Sequence, residues 1–144
     1  MKHLRTEISI DASAEQVWGV LTDLERFSEW NPFITRASGE VRQGGRLEIF
    51  MAPPGGKAMG FKPTLMTVDP NRELRWVGVF LHKTLFTGQH YFLIEPQAQC
   101  QVTFVQGEYF GGVMLPFMGG VLRKTVLGFD EMNHALKARV EAGS

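Results

Sequence analysis

Val121-Leu-Arg-Lys-Thr-Val-Leu-Gly-Phe-Asp-Glu-Met-Asn-His-Ala-Leu-Lys-Ala-Arg-Val140 is the stretch that decides the architecture. Leu122, Val126, Phe129, Met132, Leu136 and Val140 recur at spacings of four, three, three, four and four, which puts them on one side of an α-helix. Arg123, Lys124, Asp130, Glu131, Lys137 and Arg139 fall mainly off that stripe. The pattern predicts a long helix over about 121–140 with one apolar face to bury, and the remaining chain must supply the surface that covers it.

Upstream, from Phe33 to Phe110, apolar alternation of period two is repeatedly broken by turn chemistry and no helical period persists. Gly44-Gly45 separates a strand over 34–42 from one over 46–51, and Ala52-Pro53-Pro54-Gly55-Gly56 predicts a loop. Asp69-Pro70-Asn71-Arg72 is a turn. A turn over 81–84 joins strands 73–80 and 85–95, and a turn over 96–99 leads to a last strand over 100–109. At the N-terminus, Ile8 and Ile10 alternate within a strand over 6–10. Ser13 and Gln16 then form a capping box that opens a helix carrying Val17, Trp18, Val20, Leu21 and Leu24. A second helical turn over 25–29 ends where Pro32 restricts Asn31. Trp30 is expected to pin these short helices to the sheet, with Asn31 and Pro32 turning into the next strand. Residues 110–120, rich in glycine and apolar side chains, connect the last strand to the long helix.

One strand, two short helices, a six-stranded meander and a terminal helix make an α+β protein of the helix-grip type: a curved antiparallel sheet around a long C-terminal helix. Such a sheet cannot hide its apolar face alone, and its glycines let it curve. Only a few side chains bridge the widest gap between sheet and helix, so a pocket for an apolar molecule is expected there.

With 144 residues, the chain suits one domain over 1–144. Its 15 basic and 15 acidic side chains give no overall field toward nucleic acid or anionic lipid, so neither is an expected partner. Cys100 is alone, which excludes an intrachain disulfide and a thiolate zinc cluster. His3 and His134 lie off any ligand spacing and His82 belongs to a hairpin tip, so no metal and no cofactor are expected. Neither Gly55-Gly56 nor Gly111-Gly112 carries a phosphate-loop pattern, and no GxSxG nucleophile motif occurs. No stretch has the length and apolarity of a membrane span, and a cytoplasmic location is the expectation.

Several strings carry a family resemblance: Ile8-Ser-Ile-Asp-Ala-Ser-Ala-Glu-Gln-Val-Trp18, Leu21-Thr-Asp-Leu-Glu-Arg-Phe-Ser-Glu-Trp-Asn-Pro-Phe33, Leu74-Arg-Trp-Val-Gly78, Phe86-Thr-Gly-Gln-His-Tyr-Phe92 and Gln106-Gly-Glu-Tyr-Phe-Gly111. Through nearly its whole length the chain resembles the START-like or Bet v 1-like (SRPBCC) superfamily, and within it the bacterial polyketide cyclase/dehydrase and lipid-transport group. The resemblance implies the helix-grip fold. It carries over no shared catalytic set.

His90 and Glu108 are the polar residues with chemical potential. If Ile94 faces Val102 across the hairpin, His90 faces Gln106 and Gly88 faces Glu108, all on one face with Phe92 and Phe104. Facing inward, this cluster orients a ligand or supplies an acid–base pair; otherwise it is a hydrogen-bonded cluster without function. The expected lining is Trp76, Phe80, His90, Phe92, Phe104, Glu108, Phe129 and Met132. The loops 52–60 and 110–120 are expected to flank the mouth, with Met114, Leu115, Phe117 and Met118 as a lid, a core plug or a homodimer contact. Three functions follow: a carrier or sensor of an apolar, lipid-like or aromatic polyketide-like molecule; a cyclase or dehydratase using His90 or Glu108 as catalytic acid–base; or a co-chaperone-like interaction module with a filled interior.

Overall fold

The computed structural model describes residues 1–80 and 82–143, and the side chain of Phe80 also lies outside the described part. β1 (Lys2–Ile10) leads into α1 (Ala14–Thr22), a 3-10 turn at Leu24–Arg26 and α2 (Phe27–Trp30). Seven strands follow: β2 (Ile34–Gly39), β3 (Leu47–Met51), β4 (Met59–Phe61), β5 (Thr64–Asp69), β6 (Glu73–Phe80), β7 (Phe86–Ala98) and β8 (Gln101–Gly111). A 3-10 turn at Leu115–Phe117 then opens into α3 (Gly119–Gly143). The capping box of α1 is formed: Gln16 N–H donates to Ser13 Oγ at 3.2 Å and Ser13 N–H donates to Gln16 Oε1 at 2.9 Å. Asn31 ends α2 by accepting from the N–H groups of Phe33 and Ile34 at 3.0 and 2.9 Å, which turns the chain into β2.

Five strands pair in the order β1-β8-β7-β6-β5 and three in the order β2-β3-β4, all antiparallel. The two groups are stitched together where Leu47 N–H donates to Pro63 O and Leu65 N–H to Gly45 O, so one curved surface faces α3. The expected six-strand meander becomes seven because Pro63 has no N–H to give the ladder and splits β4 from β5. Met59 and Gly60, expected in the loop 52–60, pair with β3 together with Phe61. β1 begins at Lys2 rather than residue 6, pairing with β8 along its whole length despite the charged side chains at Lys2 and Arg5.

The β7–β8 hairpin turns at Gln99–Cys100, with Cys100 in the left-handed region at φ 59°, rather than over 96–99. Ile94 therefore faces Phe104, Phe92 faces Gln106 and His90 faces Glu108. This corrects the expected pairs Ile94 with Val102, His90 with Gln106 and Gly88 with Glu108. The slip is two residues, one full side-chain period, so every member keeps its face.

α3 lies against the sheet through Leu122, Phe129, Met132, Leu136 and Val140, all buried. It approaches closely where Gly128 meets the Phe33 ring, which a methyl group there would overlap. Its far end is tied to β1: Lys137 Nζ donates to Ser9 O at 2.8 Å, and Asp11 N–H donates to Glu141 Oε2 at 2.8 Å. Bonds from Lys137 and from the Asp11 N–H hold the Glu141 carboxyl below its ordinary range. On the outer sheet face Tyr91 bonds His3 Nε2 at 2.7 Å, and burial followed by the neighbouring Tyr109 raises the Tyr91 phenol. Among the described residues no helix is long and apolar enough to cross a membrane.

Candidate ligand site

Gly78 and Gly88 pair directly across β6 and β7 on the inner face of the sheet. A Cβ at Gly78 would meet nothing within 4 Å, so this position opens space instead of filling it. The result is a cavity of about 100 Å³ between the sheet and the first turns of α3. Met51, Phe61, Trp76, Phe86 and Phe110 contribute apolar walls, and Val121 and Thr125 face them from α3. Glu108 is the one ionisable residue in this lining.

Glu108 is 9% exposed, and its carboxylate occupies room that only glycine leaves: a methyl group on Gly88 would overlap Oε2. Its Oε1 stands 3.2 Å from His90 Nδ1. His90 is fully buried, with ring centroids of Phe92, Phe129 and Trp76 at 4.8, 5.0 and 5.1 Å. The distance suits an ion pair, yet the angle does not make a hydrogen bond, and Nδ1 has no hydrogen-bond partner.

The tautomer of His90 follows from a chain anchored on backbone. Thr6 Oγ1 donates to the carbonyl of Gln106 at 2.9 Å, so it must accept from Asn133 Nδ2 at 2.8 Å. Asn133 then turns Oδ1 toward Gln106 Nε2, also at 2.8 Å, and that amide group reaches the Phe129 carbonyl at 3.4 Å. Gln106 is left presenting Oε1 to His90 Nε2 at 2.9 Å, so Nε2 carries the proton. In the neutral ring Nδ1 is then a lone pair facing a carboxylate oxygen. This pair of atoms is in reach of the cavity through Glu108.

Of the residues expected to line the site, Trp76 and Glu108 border the cavity. The side chain of Phe80 lies outside the described residues. His90 stands directly behind Glu108, while Phe92, Phe104, Phe129 and Met132 are packed into the core, with Phe92 and Phe104 stacked at 5.9 Å. These large side chains bridge the gap where the middle of α3 touches the sheet, and the hollow survives only where Gly78 faces the start of the helix. Sequence reasoning missed Asn133, although it continues the stripe four residues after Phe129 and three before Leu136. It also missed the paired glycines, whose signal was their position in phase with Trp76 and His90. The expected mouth segments bracket the cavity: Met51 and Phe61 stand at the ends of one, Phe110 and Val121 at the ends of the other.

A curved antiparallel sheet closed by a long C-terminal helix, with an apolar hollow between them, defines a helix-grip protein with a hydrophobic ligand-binding fold. The chain belongs to the polyketide cyclase/dehydrase and lipid transport family, whose profile matches residues 1–141. Among solved structures, the Zhui aromatase/cyclase from a Streptomyces species is similar at TM-score 0.80 and 13% identity, covering 97% of this chain and 93% of that one. A START superfamily protein from Mycobacterium smegmatis superposes at TM-score 0.72 and 18% identity, covering 99% of both chains. Norcoclaurine synthase from Thalictrum flavum does so at 0.74 and 15%, covering 99% and 88%. At these identities the likeness is one of fold. No curated protein matches the sequence significantly.

Proposed function

We propose that the protein is a carrier or sensor of an apolar small molecule, lipid-like or aromatic and polyketide-like, that bears one hydrogen-bond donor. The observation behind this reading is the lining: apolar walls around a single recessed carboxylate, which offers an acceptor to a hydroxyl or N–H group of the ligand. Burial of the ligand's apolar area supplies roughly 25 cal/mol per Å² before the costs of binding. Native mass spectrometry of freshly purified protein, with extraction of the bound molecule, tests it. Gly78→Leu should fill the hollow without strain and abolish retention of that molecule. An unchanged ligand load in a folded Gly78→Leu protein would reject this placement.

The second reading is an enzyme of the cyclase or dehydratase kind, and the His90–Glu108 pair favours it. The Glu108 carboxyl, with the His90 ring 3.2 Å behind it, can give a proton to, or take one from, a reactive group resting on it. Loss of turnover with retained binding in Glu108→Gln supports the enzyme. Loss of binding alone supports the carrier. A filled interior, expected of an interaction module, has no such observation behind it.

A further inference from the structure

The overall charge balance conceals an uneven distribution. Around the cavity, the segments 49–68, 74–94 and 109–129 contain no Asp or Glu: Glu48, Asp69, Glu73, Glu95 and Asp130 lie just beyond their ends, and Glu108 is recessed in the cavity wall. Besides Arg75, which is paired with Glu73, they carry Lys57, Lys62, Lys83, Arg123 and Lys124, all five exposed and none of the five in an ion pair among the described residues.

These side chains belong to one continuous surface. The Lys124 stem lies against Gly55 and Gly56, which join it to the loop carrying Lys57, and the Arg123 guanidinium lies over Gly119 and Gly120. Val113 N–H donates to Thr84 O and Met114 N–H to Leu85 O, both at 3.0 Å, which fixes the connector against the turn bearing Lys83. Lys62 stands between Phe61 and Pro63, two cavity-lining residues. Within this cationic rim the connector exposes large apolar side chains: Phe117 is 81% exposed, Val113 66% and Met114 40%.

We propose that this end docks on an anionic lipid bilayer, with Phe117 and Val113 entering the interfacial layer and the lysines and Arg123 meeting lipid phosphates. Cations surrounding an apolar tip match the layered chemistry of a headgroup region over an acyl boundary. A second copy of the chain would meet the same positive charge and be repelled. The proposal is independent of the cavity's occupant, because none of Phe117, Val113, Lys57 and Lys83 lines the cavity.

Sedimentation with vesicles tests it, comparing equal phosphatidylglycerol and phosphatidylcholine with phosphatidylcholine alone. The protein should sediment with the anionic vesicles at about 20 mM salt, lose most of that binding near 300 mM, and ignore the neutral ones. Each surface charge contributes roughly fivefold, so Lys57→Gln with Lys83→Gln should weaken partitioning about 25-fold. Phe117→Ser should weaken it about tenfold through lost apolar burial. Both variants should keep the wild-type unfolding midpoint, since they alter exposed loop positions. Absence of sedimentation with anionic vesicles overturns the proposal. Equal binding to soluble polyglutamate, unaffected by Phe117→Ser, overturns it in favour of an acidic polypeptide partner.

Discussion

At the scale of single residues, the decisive arrangement is the chain from Thr6 through Asn133 and Gln106 to His90. Each amide is oriented by its neighbour, and the series ends on a backbone carbonyl that cannot flip, so a hydroxyl on β1 sets which nitrogen of a buried imidazole bears hydrogen. Asn133→Leu removes one donor and one acceptor at once. The variant should lose about 1–3 kcal/mol, the cost of leaving buried partners unsatisfied, measured by urea unfolding. Nitrogen NMR should report Nε2–H for His90 in the wild type and a mixture of tautomers in Asn133→Leu, because Gln106 is then released to turn over. A pure Nε2–H signal in the folded variant would show that Asn133 does not set the tautomer. His90 and Glu108 were legible in the sequence as an inward pair, because strand periodicity assigns faces. Asn133 was not, because a polar residue beside Met132 reads as the helix edge until its partners on β1 and β8 are known.

At the scale of elements, periodicity carries over better than register or depth. The long helix and the capping box follow from local chemistry, whereas the hairpin partner of His90 depends on where the turn falls, and the pairing of β1 with β8 joins opposite ends of the chain. Phe92, Phe104, Phe129 and Met132 show the limit on depth: they share the inward face with Trp76, yet they fill the core while Trp76 borders the hollow. Which part of an apolar face stays open depends on what stands opposite, and that is set by α3. Gly128 fixes its approach. In an isolated helix Gly128→Ala would gain about 1 kcal/mol from propensity, but here the methyl group overlaps the ring of Phe33. Overpacking costs about 1–3 kcal/mol, so the variant should be net less stable in urea unfolding. A net gain would mean that Phe33 can turn away, and that the helix is not held by this contact.

At the scale of the whole molecule, size sets the mechanism of uptake. A cavity of about 100 Å³ is well below the roughly 300–1,000 Å³ that encloses a drug-sized ligand. A molecule larger than a fragment therefore enters only if the start of α3 moves away from β3 and β4. The two ends of α3 are suited to unequal mobility. Its C-terminal half is pinned by Lys137 to β1, by Glu141 to Asp11 just after that strand, and by Leu136 and Val140 to the core, while its first turn begins with the glycines at 119 and 120 and presents Val121 to the hollow. Opening should then involve residues 52–60 and 110–125 together, leaving 129–141 in place. Hydrogen exchange should show both segments exchanging faster than β7, β8 and the second half of α3, since local opening of a partly packed unit needs less free energy than global unfolding. Addition of the molecule extracted from the purified protein to the emptied form should slow exchange in both segments. Protection confined to the second half of α3, or exchange of the whole helix as one unit, would contradict opening at this end. In that event the ligand would have to reach Glu108 by a route that leaves the first turns of α3 closed.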